Sequence, residues 1–226
     1  MQKSQTVTIV GASGLVGSEL LQILGYIDEI SAIKVVTRSP VGKMMPQMEN
    51  IILNFDKLGD YADTLKADIF VCCLGSTIKK AGSQEAFKKV DLDYVVNFAK
   101  VAEAVGAKKF LVVSAMGANP NSKIFYNRVK GEMEKALKDL KIPQIEIFRP
   151  SLILGERKEK RAGEEWGQRL SPFVNKILVG PLRKYRGITA KNIAKAMAIA
   201  ILNFQAGYYV YDSEQIQHIA DQTHAK

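Results

Sequence analysis

Three features of this 226-residue sequence predict an α/β fold built on a doubly wound parallel sheet, with a small C-terminal substrate-facing region. Short, wholly apolar runs alternate with helical apolar spacing, the mark of parallel strands covered on both faces. A glycine-rich turn joins the first strand to the first helix. The residues with chemical potential follow strands, where open α/β sheets bind their ligands.

The elements run in order. Thr6–Val10 is a β-branched strand ending at Gly11, and Leu15–Leu24 carries helical spacing. Ile33–Val36, Ile51–Leu53 and Ile69–Leu74 are the next three strands, and Ser83–Val105 is a long amphipathic segment. Phe110–Val113 is a fifth strand, Ser122–Leu140 a helix stopped at Lys141–Pro143, and Ile145–Phe148 a sixth strand. After Pro150 the pattern loosens through Gly155–Pro181, then returns as a helix over Thr189–Asn203 and a short strand at Tyr208–Tyr211. No repeat interrupts this order, so residues 1–226 read as one domain in which residues 150–226 shape the substrate pocket.

Composition is that of a globular protein, 47% hydrophobic and 24% charged. The net charge of +9 is spread along the chain. No helix carries a basic stripe interleaved with aromatics, so a nucleic-acid partner is not expected. Cys72 and Cys73 are adjacent, point to opposite faces of a strand and read as buried thiols in a reducing compartment. His218 and His224 have no metal-ligand spacing and read as solvent-facing. No signal peptide and no membrane span is visible, and a cytoplasmic protein is the expectation; the oligomeric state stays open.

Gly11-Ala12-Ser13-Gly14-Leu15-Val16-Gly17 sits between a strand and a helix, the context in which three glycines cradle a pyrophosphate. Gly11 permits the turn, Gly14 admits the phosphates, Gly17 packs helix on sheet, and the helix start offers free N–H groups. The competing reading is a tight structural turn. An NAD site usually carries Asp or Glu after the second strand. Here Val36-Thr37-Arg38-Ser39 offers a guanidinium suited to a 2′-phosphate, which points to NADP(H); the alternative is an ordinary surface arginine. Asp56, after the third strand, is placed to lie beside the adenine.

Tyr126 and Lys130 stand four residues apart on one helix face. A nearby ammonium favours the phenolate and lowers the tyrosine's pKa, and a tyrosine tuned this way can protonate a carbonyl oxygen while hydride arrives from a nicotinamide. Ser114, directly after the fifth strand, is placed to bind the substrate oxygen. Among 8 tyrosines in a lysine-rich chain the spacing is weak by itself, and Ser114 and Tyr126 also fit roles as turn and packing residues.

Together with Cys72-Cys-Leu-Gly-Ser-Thr77, Val90-Asp-Leu-Asp-Tyr94, Tyr126-Asn-Arg-Val-Lys-Gly-Glu132 and Phe148-Arg-Pro150, these motifs make the chain resemble the atypical short-chain dehydrogenases/reductases, and among them the Tat-interacting-protein oxidoreductase family. The resemblance covers roughly residues 5 to 170. It implies a Rossmann fold with NADPH along Gly11, Ser13, Gly14, Leu15 and Val16. It implies contacts from Arg38 at the adenosine end, and from Leu74, Gly75, Ser76, Arg149 and Pro150 near the nicotinamide. It implies Ser114, Tyr126 and Lys130 as catalytic triad. The chain departs from the wider superfamily at Asp91, where many reductases place asparagine, which weakens a proton relay through that position.

The expected function is NADPH-dependent reduction of a small carbonyl compound. The alternative is an NADP(H)-binding regulatory or scaffold protein with little catalysis. A nucleotide-sugar epimerase or dehydratase would need a larger C-terminal region. Trp166 and Gln168 fall where a substrate pocket is expected, with Trp166 either covering the substrate or packing on the sheet. The charged run Glu156–Arg161 reads as a solvated loop.

Overall fold

The computed structural model describes residues 4–42, 44–155 and 186–222. Trp166, Gln168, Glu156–Arg161 and His224 lie outside the described residues.

Seven strands form one parallel sheet in the order β3-β2-β1-β4-β5-β6-β9. They are β1 (Gln5–Val10), β2 (Ile30–Thr37), β3 (Met48–Ile52), β4 (Ile69–Cys72), β5 (Lys109–Val113), β6 (Gln144–Arg149) and β9 (Gly207–Asp212). The last is the expected strand over Tyr208–Tyr211, added beside β6 at the edge. The order steps outward from β1 in both directions, so the switch point lies between β1 and β4, the place at whose carboxyl ends open α/β sheets bind their ligands.

Alternation divides the strands between two cores. Val7, Ile9, Ile33, Val35, Val71 and Leu111 face α1 (Leu15–Leu24), α7 (Ala190–Leu202) and α8 (Ser213–Asp221). Val10, Val36, Phe70, Cys72, Phe110 and Val112 face α5 (Tyr94–Ala104) and α6 (Phe125–Lys138). Cys72 and Cys73 fall on opposite faces, as the strand period requires.

The sequence reading differs from the structure in particular places. Leu53 and Leu74 lie beyond the ends of β3 and β4. The segment Ser83–Val105 is helical but not uniform: α4 (Gln84–Lys88) passes through a π turn over Lys89–Asp93 into α5. Ser83 caps α4 by accepting from the Ala86 N–H. The helix expected from Ser122 begins at Phe125, because the chain first turns through Asn119–Ser122. Five short elements carry too little periodicity to be read: a 3₁₀ turn at Phe55–Tyr61, α2 (Ala62–Leu65), α3 (Ile78–Ala81), and the paired two-residue strands β7 (Ile153–Leu154) and β8 (Ile188–Thr189). α8 was equally unread; its Asp212 capping box sets its start.

Candidate active site

The glycine turn has the geometry its chemistry asks for. Gly11 has φ +79°, and a Cβ there would lie 2.4 Å from the carbonyl carbon of Cys73. At Gly17 a Cβ would lie 2.3 Å from the Gly11 oxygen, so any side chain would push α1 off the turn. α1 has no side-chain cap at Gly14 and no acidic residue in its first turn. Its first N–H groups and positive dipole end are therefore free for an anion. Ser13 and Gly14 are exposed, Leu15 is half-buried, and Val16 turns its side chain into the core. The donors and the close-approach glycines fit a dinucleotide pyrophosphate.

Arg38 immediately follows β2 and is exposed. Asp56 lies in the first turn of the 3₁₀ segment, where its carboxylate accepts from the Tyr94 hydroxyl at 3.0 Å and pairs with Lys89 at 2.7 Å. The Lys89 and Tyr94 contacts hold that carboxyl below the usual carboxylate range.

A second group of candidate residues is built on α6. Val129, Met133 and Leu137 bury one stripe of this helix in the core. The adjacent stripe, again at spacing four, carries Tyr126, Lys130 and Glu134. Tyr126 is half-buried with its ring 5.5 Å from that of Phe87. Lys130 is buried, its Nζ 2.8 Å from Oδ1 of Asp91, whose side chain is only 1% exposed. Oδ2 of the same carboxylate accepts from the Ser76 N–H at 2.8 Å. Asp91 thus ties the Gly75–Ser76 loop after β4 to α6, and the π turn that carries it presents it inward. Burial alone would depress the Lys130 ammonium, but Asp91 beside it holds it above the usual lysine range. Burial pushes the neighbouring Cys72 thiol up to about 12, which leaves it a neutral core residue.

Ser114 directly follows β5 and is buried. Its Oγ donates to Oε1 of Glu134 at 2.5 Å, and its N–H to the Phe148 carbonyl at 2.7 Å. Glu134 also receives the Arg149 guanidinium through both carboxylate oxygens, Nε standing 3.0 Å from Oε1. A carboxylate only accepts, so the Ser114 proton points at Glu134 and its oxygen offers lone pairs elsewhere. Pro150 is buried, and its carbonyl accepts from the Met116 N–H at 2.9 Å. Leu74 is half-buried against the core on the α5–α6 face, Gly75 is exposed, and Ser76 is half-buried at Asp91. An open cleft of about 260 Å³ lies between α6 and β9, lined by Glu134, Lys135, Arg149 and Tyr208 among others, and shares no residue with the glycine turn.

The structure thus brings Lys130, Asp91 and Ser76 together, and separately Ser114, Glu134 and Arg149. Sequence reasoning missed Glu134 and took Asp91 only as a departure. The signal for Glu134 was its place four residues beyond Lys130.

Fold and site define an NAD(P)-binding protein of the Rossmann class. A family model described as "Semialdehyde dehydrogenase, NAD binding domain" matches residues 6–117. The chain is 37% identical over 167 residues to protein HTATIP2 of Rattus norvegicus, covering 72% of this chain and 68% of that one. It is 36% identical over 151 residues to "Protein FMP52, mitochondrial" of Meyerozyma guilliermondii, covering 66% and 65%. It thus spans about two thirds of the length of these relatives. The chain belongs to the HTATIP2 family. Its fold is shared with the Bordetella bronchiseptica enzyme WbmH solved in complex with NAD+, at TM-score 0.70 and 16% identity over 96% of this chain and 79% of that one. Among the described residues no helix is long and apolar enough to cross a membrane.

Proposed function

We propose that the chain is an NADPH-dependent oxidoreductase that reduces a small carbonyl compound. NADPH, when bound, supplies the hydride, that is, two electrons with one hydrogen. Tyr126 gives the carbonyl oxygen its proton, completing the alcohol, and recovers a proton from solvent. Lys130 holds the nicotinamide ribose and the charge next to Tyr126. The backbone from Gly11 to Val16 takes the pyrophosphate, Arg38 the 2′-phosphate and Asp56 the adenine edge. Leu74, Gly75, Ser76, Arg149 and Pro150 flank the nicotinamide end, and residues 150–226 shape the substrate pocket. Ser114 serves as an acceptor of hydrogen bonds, its own proton being taken by Glu134. The expected cytosolic location belongs to this proposal and stands against the mitochondrial name of the fungal relatives. Fractionation decides between them.

The observation that supports the reading is a buried, charged lysine beside Tyr126, joined through Asp91 to the loop after β4, whose first residues Cys73 and Leu74 abut the glycine turn at Gly11. A fluorescence titration with NADPH and NADH, on wild type and Arg38→Ala, tests it. NADPH should bind selectively and weaken about tenfold or more in the variant, with NADH little changed. Tyr126→Phe should then cut carbonyl reduction about a hundredfold or more. Failure to bind either nucleotide overturns the reading.

One observation favours a second reading, an NADP(H)-binding regulatory protein with little catalysis. The Ser114 proton is committed to Glu134 and the Lys130 charge is matched by Asp91, so both groups that usually assist the tyrosine are occupied. Selective NADPH binding without oxidation by any of a broad carbonyl panel would establish it.

A further inference from the structure

The charge beside Tyr126 is not a bare ammonium. Lys130 and Asp91 are both almost wholly buried and 2.8 Å apart, Lys130 on α6 and Asp91 on the π turn. An asparagine would hold the Ser76 N–H through its amide oxygen equally well, so the hydrogen bond to the loop does not require the charge. What the second oxygen's charge adds is a counter-ion for Lys130.

We propose that Asp91 is a positioning residue that divides the charge of Lys130, so that Tyr126 feels the field of an ion pair and is set to donate a proton rather than to accept one. A lone ammonium in a low-dielectric site stabilises a phenolate; an ion pair does so far less, because the two fields oppose each other at the phenol. Proton donation is the half-reaction of carbonyl reduction, and a phenolate is the base needed for alcohol oxidation. Asp91 therefore biases this site toward reduction. The titratable groups acting on Lys130 are Asp91 from the π turn, Tyr126 from its own helix and Cys72 from β4. The thiol is uncharged near neutral pH. This inference rests on the oxidoreductase reading for its meaning, but its test does not need turnover.

The experiment follows tyrosinate absorbance near 295 nm through a pH titration of the full chain without nucleotide. Subtracting the Tyr126→Phe titration isolates the Tyr126 step. In Asp91→Asn that step should move to lower pH by about one unit or more. Asp91→Glu, which keeps the charge, should restore the wild-type position. In a Lys130→Met background the Asp91→Asn shift should disappear, since Asp91 acts through Lys130. Circular dichroism of each variant confirms that the fold is kept, and Asp91→Glu carries the test if Asp91→Asn does not fold: its step should coincide with wild type and separate from that of Lys130→Met. An unmoved step in folded Asp91→Asn, whether because the carboxylate has no effect or because Lys130 loses its proton first, overturns the proposal. So does a shift that persists without Lys130. A shift as expected in a protein that reduces no carbonyl supports the division of charge and removes the reductase reading; turnover with an unmoved step does the reverse.

Discussion

Two buried lysines sit at opposite ends of the same sheet, and their surroundings push them in opposite directions. Lys130, at the carboxyl end, has a carboxylate at 2.8 Å and is held above the usual lysine range despite its burial. Lys109, the first residue of β5, lies at the amino end. Its Nζ donates to carbonyls at the end of α7, at Ala200 and at Ile201 (3.0 Å), and to that of the C-cap residue Asn203 (2.5 Å). Burial pushes it down to about 8, although Glu146 on the neighbouring strand pulls the other way. Carbonyl dipoles satisfy every donor of an ammonium without supplying a full counter-charge. A carboxylate in contact supplies both. The floor lysine is thus a helix cap, and the site lysine is one half of an ion pair.

The largest effect should follow from breaking the ion pair. Asp91→Leu leaves a charged, buried Lys130 with no counter-ion, and one-sided removal from such pairs costs about 3–5 kcal/mol. Urea denaturation should show that loss at pH 7. Adding Lys130→Met should return most of it, because two apolar side chains need no solvation. A double variant as unstable as the single one would mean that Asp91 stabilises through the Ser76 N–H, not through Lys130.

The comparison also explains what was legible in the sequence. The parallel, doubly wound sheet was legible from apolar strands such as Ile69–Cys72, because burial on both faces leaves no polar alternation to misread; the order of its strands was not. The glycine turn was legible because Gly11, Gly14 and Gly17 answer to local backbone geometry. Tyr126 and Lys130 were legible because helical spacing is local too. Asp91 and Lys130 are 39 positions apart, and Glu134 meets Ser114 and Arg149 only when β5, β6 and α6 pack together. Nothing local predicts a partner from another element. The π turn was hidden for the same reason: Lys89–Asp93 has ordinary helical composition, and only its packing shows the extra residue per turn.

The floor of the sheet offers a smaller effect with a sign set by pH. Burial raises the Glu146 carboxyl from 4.5 to about 7, with Lys109 and Gln144 opposing. Its folded form holds a proton more tightly than the unfolded chain does. The stability this contributes is present below about 4.5 and is lost as pH rises through about 7. Wild type should therefore lose up to about 3 kcal/mol between pH 4.5 and 8 from this group, at 1.36 kcal/mol per unit. Glu146→Gln should flatten that slope and be the more stable protein at pH 8, as thermal melts across the range would show. Parallel curves for the two proteins would mean that Glu146 is better solvated than its burial indicates.

Lys109→Met should give the smallest loss, and it separates the cap from the charge. The variant removes a buried ammonium, which favours folding, and strips three carbonyls of their donor, which opposes it. Leu202, Asn203 and Phe204 are exposed, so water can reach the end of α7 and replace part of what is lost. The net cost should be about 1–2 kcal/mol, well below that of Asp91→Leu, with faster amide exchange confined to the last turn of α7. The variant should also change the pH dependence. Lys109 draws the Glu146 carboxyl down, so without it that group titrates still higher and the fall in stability extends further above pH 7. A cost as large as that of Asp91→Leu would erase the distinction between the two lysines, because it would make the capped ammonium as indispensable as the paired one.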